Sequence, residues 1–200
     1  MNRANSLFYR IIKTAGDYSS AVVFLIAASP LSILLSLTIF LTGGWPVIYS
    51  QKRTGLNGQT FLIYKFRSLK HGISEGTDLI SYKHDPRITK IGRVMRKYRM
   101  DEIPNFINVL RGEMSVVGPR PEQRFYIDKI IQDRPEYNEL LKIKPGVTSW
   151  GEVKYGYAST VEQMIERLEY DLYYLKNRSL LFDLQIILHT IRIVLLGRGI

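Results

Sequence analysis

The longest apolar run lies near the start of the chain. From Tyr18 to Leu41 the sequence reads YSSAVVFLIAASPLSILLSLTIFL, 24 residues without an ionised side chain, and the uncharged stretch continues to Gln51. As one straight helix it would extend ~36 Å, against a bilayer hydrocarbon core of ~30 Å. No polar face recurs at helical spacing, which argues against the core helix of a soluble protein. A signal peptide is also disfavoured, because the apolar pattern runs on past the small residues Ala27-Ala28-Ser29. Pro30 divides the run, and a proline there removes a backbone donor and crowds the carbonyl four residues earlier, so a kink or break is expected. The Ser29 hydroxyl can satisfy the freed carbonyl, which makes the interruption tolerable in lipid. Each half covers only ~18 Å, too little to cross. Arg3, Arg10 and Lys13 precede the run and Lys52 and Arg53 follow it. Cytoplasmic flanks attract cations, so both ends are expected on one face. That pattern favours a re-entrant helix that enters, bends at Ser29-Pro30 and returns. An ordinary kinked span is the alternative, and the residues alone divide evenly between the two.

Beyond residue 44 the periodicity changes. Pro46–Gln51 and Thr60–Phe66 are β-rich runs, and Gly55 with Asn57-Gly58 between them predicts a hairpin. His71 to Asp85, with Gly72 and Gly76, reads as a loop. Ile88 to Tyr98 interleaves apolar Ile88, Ile91, Val94 and Met95 with basic residues at 87, 90, 93, 96, 97 and 99, a cationic amphipathic helix. Asp101-Glu-Ile-Pro104 looks like a helix start with Asp101 as the cap, the helix running through Phe106 and Val109 to a stop at Gly112. Thr160-Val-Glu-Gln163 fits a capping box ahead of a core helix. Leu180 to Leu196 is nearly all apolar but interrupted by Asp183, Gln185, His189 and Arg192, as suits a helix packed on the domain or lying in an interface. The expected fold is α+β and mostly helical: a membrane helix over residues 1–44 and one catalytic domain over 45–200, with a small β-hairpin and amphipathic interfacial helices.

Charge narrows the partners. Lys and Arg number 28 against 18 Asp and Glu, a net +10. Nucleic acid, anionic lipid and a phosphorylated substrate all suit that balance. There is no cysteine, which removes disulfides, thiolate nucleophiles and cysteine-based zinc sites. The three histidines, His71, His84 and His189, have no metal-ligand spacing.

Candidate chemistry concentrates at Asp101-Glu102, framed by the basic run from Arg87 to Arg99 and by Gly118-Pro-Arg-Pro121. A carboxylate at a helix start is held ionised by exposed N–H groups and the helix dipole. It can attack phosphorus or hold Mg²⁺, provided nearby cations mask the charge of both reacting groups. Lys65, Arg96, Arg99 and Arg120 are the candidates, with Pro119 and Pro121 stiffening the backbone around Arg120. Alone, an Asp-Glu pair is a weak signal, since most such pairs are solvated helix starts.

The surrounding motifs are longer. Tyr64-Lys-Phe-Arg-Ser68, Asp85-Pro-Arg-Ile-Thr89, Asp101-Glu-Ile-Pro104, Asn108-Val-Leu-Arg-Gly-Glu-Met-Ser115, Val117-Gly-Pro-Arg-Pro121, Lys144-Pro-Gly-Val-Thr148 and Tyr170-Asp-Leu-Tyr-Tyr174 strongly resemble the bacterial sugar transferase family, in order and over nearly the whole chain. These are monotopic phosphoglycosyl transferases that start surface-glycan assembly. The resemblance implies transfer of a sugar 1-phosphate from a nucleotide diphosphate sugar, usually a UDP-sugar, to polyprenyl phosphate such as undecaprenyl phosphate, with release of UMP. It implies that Asp101 is the nucleophile, forming a covalent phosphosugar intermediate, and that it also contacts Mg²⁺. Glu102 would be its partner acid, and Lys65, Arg96 and Arg120 would contact phosphate. It further implies a re-entrant helix broken at Ser29-Pro30, membrane lipid as a partner, and a catalytic domain on the cytoplasmic face of the bacterial inner membrane; whether a homodimer forms is left open by the sequence. Departures are Lys144 and Ser149, where relatives often carry Arg and Gly, and Glu152, where Gln is common; they bear on the sugar rather than the reaction class. A non-catalytic, membrane-anchored basic scaffold is the alternative. Nucleic-acid binding through residues 87–99 is disfavoured by the membrane segment and the lack of a reading motif.

Overall fold

The computed structural model describes residues 7–70 and 85–199. The loop expected from His71 lies outside them except for Asp85.

Helix α1 runs from Leu7 to Gly43. Among the described residues it is the one helix long and apolar enough to cross a membrane, and only 11% of its most apolar 18-residue window is buried. A helix sheathed inside a soluble domain would show the reverse. The helix runs on through Ser29 and Pro30, so a full break there is corrected; a bend is accommodated within an unbroken helical run. The physical reason is local. Pro30 cannot donate to the carbonyl of Ile26, and the Ser29 hydroxyl donates to that same oxygen at 2.8 Å instead.

The antiparallel hairpin forms as expected, with β1 (Ile48–Thr54) and β2 (Thr60–Phe66) in register from Ile48↔Phe66 to Thr54↔Thr60. The first strand begins two residues later and ends three later than the sequence pattern suggested. Asn57 and Gly58, with φ of 54° and 75°, make the turn, and the Asn57 N–H donates to the Leu141 carbonyl at 2.7 Å, tying the hairpin tip to the domain.

The cationic helix is α2 (Lys90–Lys97), whose cap Thr89 accepts from the Gly92 N–H at 2.9 Å. Met95 faces the core while Arg93 and Lys97 are exposed. After it come α3 (Asn105–Leu110), α4 (Arg124–Asp133), α5 (Tyr137–Leu140), α6 (Trp150–Lys154), α7 (Val161–Asn177) and α8 (Leu180–Leu195). The capping box at α7 holds in modified form. Thr160 accepts from the Gln163 N–H at 3.3 Å, and Gln163 Oε1 reaches back to the Ser159 N–H at 2.8 Å rather than to the cap residue. A second pair of strands, parallel and unforeseen, joins β3 (Ser115–Val117) to β4 (Gly146–Thr148).

Four apolar clusters hold these pieces together. One packs Ile127 and Ile130 of α4 against Leu140, Met164 and Leu168. Another joins Val117, Trp150, Tyr174 and Ile186. The other two receive α1: Ala21 sits with Ile63, Val109 and Met114, and Leu35 and Ile39 sit with Val47, Phe66, Met95 and Ile103. Near its start, α1 is also fastened by charge. Lys13 Nζ lies 2.9 Å from Asp17 Oδ1 and 3.1 Å from Asp183 Oδ2 of α8. Asp17 in turn accepts from the Ser115 hydroxyl at 2.7 Å and the Val116 N–H at 3.1 Å. Both flanks of the apolar helix therefore touch the same domain.

Candidate active site

Asp101 and Glu102 occupy a single 3₁₀ turn, Met100–Glu102, between α2 and α3. The chain is steered into it by Arg99, whose φ of 54° and ψ of 22° lie in the left-handed region. A non-glycine residue held there costs on the order of 1–3 kcal/mol and persists only where surrounding contacts enforce it. Those contacts are visible. Arg99 Nε and Nη2 reach Glu102 Oε2 at 3.1 and 2.7 Å, and Nη2 also reaches Glu152 Oε1 of α6 at 2.6 Å.

Glu102 is the tied member of the acid pair. Lys65 Nζ, presented by β2, sits 2.6 Å from its Oε1, and Arg120 Nη1 lies 3.7 Å from the same oxygen. Burial pushes its carboxyl up, but Arg99, Lys65 and Arg120 outweigh burial and hold it well below the usual carboxylate range.

Asp101 differs in its partners. It is equally buried, yet among the described residues no side chain or backbone group donates a hydrogen bond to it and no cation pairs with it. Burial raises its carboxyl and the Glu102 charge adds to the rise; Lys65, Arg96 and Arg99 pull it back without cancelling it. This corrects the expectation of a carboxylate held ionised by a helix dipole. The helix that follows starts at Asn105, with Pro104 in the cap position and no side-chain capping bond, so Asp101 does not cap it. One fold thus separates two adjacent acids, one tied and ionised, the other open and raised.

Lys65, Arg96, Asp101, Glu102 and Arg120 are brought together, as expected; Ser29 and Pro30 lie apart, on α1. Arg96 Nε bonds the Ser68 hydroxyl at 2.9 Å. Arg120 bonds Glu152 Oε1, so Glu152 bridges both arginines. Burial again opposes ionisation of Glu152, and Arg120 with Arg99 overcomes it. Sequence reasoning noted Glu152 only as a departure from relatives. It also missed Glu122, which binds Arg167 of α7 and Arg53 of β1, the latter at 3.3 Å, while Arg120 Nε stands 3.9 Å away. A signal for these was present: Arg167 and Asp171 fall on the same helical face as Met164, Leu168 and Leu172, and charged residues at core positions demand partners. Asp171 accepts from the Gly151 N–H at 2.9 Å, and Ser149 caps Glu152 at 2.9 Å, so α7 sets the position of α6 and hence of Glu152.

A cavity of about 420 Å³ opens over this cluster, its lining including Arg96, Asp101, Glu102, Arg120 and Glu152 together with Tyr155–Tyr157, Ile193 and Arg198. Among the described residues no group of three acids or histidines could hold a metal alone. Mg²⁺ needs less, since it takes one or two carboxylates and completes its shell with water and phosphate oxygens. Asp101, the cavity carboxylate without a protein partner among the described residues, fits that use; an all-protein metal cage does not fit.

A cationic cavity with one tied and one open carboxylate thus sits on a domain that clasps an apolar helix. Residues 8–197 match the model of the bacterial sugar transferase family, and the chain belongs to that family. It is 39% identical over 194 residues to a UDP-N-acetylgalactosamine-undecaprenyl-phosphate N-acetylgalactosaminephosphotransferase of Aeromonas hydrophila, covering 97% of this chain and 46% of the relative. It is 36% identical over 184 residues to a UDP-glucose:undecaprenyl-phosphate glucose-1-phosphate transferase of Escherichia coli K12, covering 91% and 40% respectively. An uncharacterized sugar transferase of Bacillus subtilis, EpsL, is 34% identical over 190 residues, covering 95% and 90%. The chain spans less than half the length of the first two and most of the third.

Proposed function

We propose that the protein transfers a sugar 1-phosphate from a UDP-sugar to a polyprenyl phosphate, probed best with undecaprenyl phosphate, in two displacements at Asp101. In the first, an Asp101 carboxylate oxygen attacks the phosphorus that carries the sugar. The bond from that phosphorus to the bridging oxygen breaks and UMP leaves, so the sugar phosphate is carried on the carboxylate. In the second, a phosphate oxygen of the polyprenyl phosphate attacks the same phosphorus, the bond to Asp101 breaks, and a polyprenyl diphosphate sugar departs. Charge balances without a proton transfer.

The observation that carries this reading is the buried carboxylate left unpartnered, among the described residues, beside a twin tied by cations. An open, raised carboxylate keeps its basicity and has no ion pair to break before it reacts. Glu102 and Glu152 hold Arg99 and Arg120 in place, and Lys65, Arg96 and Arg120 supply the positive field that two approaching anions require. Mg²⁺ held by Asp101 and the donor's diphosphate would neutralise further phosphate charge. A scaffold has no use for such a separation of two acids. The relatives' names differ in the sugar, so the donor is to be found by screening UDP-N-acetylgalactosamine and UDP-glucose first.

For the membrane, we read α1 as re-entrant, with the catalytic domain on the cytoplasmic face of the inner membrane. Support comes from both of its flanks packing on one domain, Lys13 and Asp17 at one end and Leu35 and Ile39 at the other, while Ile26 and Ile33 between them are each 69% exposed. A helix crossing the bilayer would carry its ends to opposite faces. Single cysteines introduced at Asn5 and Asn57 should label from the same side, and labelling from opposite sides rejects the topology. For the chemistry, Mg²⁺-dependent UMP release and a sugar-phosphate mass adduct on the peptide bearing Asp101 are expected; product accumulating without any adduct rejects the two-step route.

A further inference from the structure

The segment after α8 is built into the cavity wall. α8 ends in a complete Schellman motif: the Gly197 N–H donates to the Val194 carbonyl and the Arg198 N–H to the Ile193 carbonyl, both at 3.0 Å. Gly197 supplies the left-handed turn, with φ of 60°. The next residue is fastened to the catalytic side, where the Gly199 N–H donates to the Lys97 carbonyl at 2.9 Å. Packing is so close that a Cβ on Gly199 would lie 2.1 Å from the Arg96 carbonyl oxygen. Arg198 is therefore held by its backbone on both sides.

Its side chain is not committed. Arg198 lines the cavity of Asp101, is exposed, and among the described residues its guanidinium makes no ion pair or hydrogen bond. Arg99 and Arg120, in the same cavity, are both engaged by Glu152. A guanidinium held on a rigid backbone, facing a cavity with its donors unused, is suited to a phosphate.

The surroundings choose which phosphate. Ile193 lines the cavity beside Arg198, and just before it Leu195 and Leu196 are 75% and 52% exposed. They continue an exposed apolar row along α8 through Leu181, Leu184, Leu188 and Ile191, the spacing of one helix face. On this lip an apolar surface passes into a cationic cavity within three residues. A nucleotide sugar has no apolar part to match it. A prenyl phosphate has a charged head and a hydrocarbon chain joined in the same order.

Resting on the reading given under Proposed function, we infer that Arg198 anchors the phosphate of the prenyl acceptor, with the chain leaving over Leu195 and Leu196 into lipid.

The test is direct binding of farnesyl monophosphate and of UDP to the full chain in nanodiscs, for the wild type, Arg198→Ala and Arg198→Lys. Losing a charge-assisted contact should weaken farnesyl monophosphate about tenfold or more in Arg198→Ala, with most of the affinity restored by lysine and UDP affinity moved less than about twofold on the same scale. Unchanged farnesyl monophosphate binding in Arg198→Ala, no binding by the wild type, or an equal loss for UDP each overturns the inference. UMP release from a UDP-sugar by the wild type, followed separately, decides the functional reading on which it rests.

Discussion

Two buried ionic networks sit in this molecule, and they are built for different ends. At the root of α1, Lys13, Asp17, Asp183, Tyr174 and Ser115 form a closed set. Lys13 bridges two acids, the Tyr174 hydroxyl donates to Asp183 at 2.7 Å, and the Ser115 hydroxyl to Asp17 at 2.7 Å. At the Met100–Glu102 turn, Lys65, Arg99 and Arg120 are likewise matched to Glu102 and Glu152, but Asp101 stands outside the matching and lines the cavity. Burial of charge therefore does not mark a site by itself. The first network joins three segments distant in sequence, whereas the second keeps one acid unpaired at a cost in stability. An unpaired carboxylate is what the proposed attack on phosphorus would use.

The contrast can be broken most sharply at Asp101. Asp101→Asn should lower UMP release at least about a thousandfold, as expected for loss of a nucleophile, yet leave the fold intact. Its melting temperature should rise. The sign follows from the raised carboxyl: a group whose folded pKa lies above its unfolded value stabilises the fold at low pH and loses that contribution as pH rises through the folded pKa. Once pH passes the folded pKa, the charge on Asp101 thus weighs against the fold, and asparagine relieves it. A melting temperature that falls would show that Asp101 has a structural partner after all.

Glu102→Gln should behave oppositely, losing about a hundredfold in activity and also stability, because Arg99 and Lys65 lose a fixed countercharge. Activity and thermal melts of the two variants measured side by side sharpen the distinction; matching melting shifts in both would erase it.

In the closed network, Asp183→Ala should reduce stability by about 3 kcal/mol, leaving Lys13 and Tyr174 without their shared partner. The folded fraction should keep its turnover within a few-fold. A loss of activity approaching that of Glu102→Gln would mean that the two networks are coupled. The UMP-releasing step should also fall as pH is lowered, with its acid limb above about 3.9, the ordinary aspartate value, since Asp101 is raised and must be ionised to attack. A pH-rate profile reads this directly. The smallest effect is expected at Ser29→Ala, which strands the Ile26 carbonyl facing Pro30 and should cost about 1 kcal/mol in a thermal melt.

Much of the site was legible along the chain because its parts are local. The acid pair, the basic run before it and the Pro-Arg-Pro after it lie within 35 residues, from Arg87 to Pro121. The hairpin followed from turn chemistry at Asn57-Gly58, and the cap expected at Thr160 accepts from the Gln163 N–H. What escaped is long-range. Ser115↔Gly146 pairing joins two short segments separated by α4, α5 and their loops, with no periodicity to announce it. Glu122 meets Arg167 only because α7 folds back over the Pro-Arg-Pro segment. At Pro30 the local reading gave the serine remedy correctly, and the helix stays continuous there instead of breaking.

Residue type and order decided that this chain carries an apolar helix, a cationic surface and two adjacent acids suited to phosphate, because hydrophobicity, charge and capping act between near neighbours. Which of the two acids would stay open was decided by folding. Lys65 arrives from a strand and Arg120 from a loop to meet Glu102, while Glu152, on a helix held by α7, binds Arg99 and Arg120; that matching leaves Asp101 without a partner among the described residues. Electrostatic energy in a buried site depends on separation in space, and neighbours in sequence do not set it.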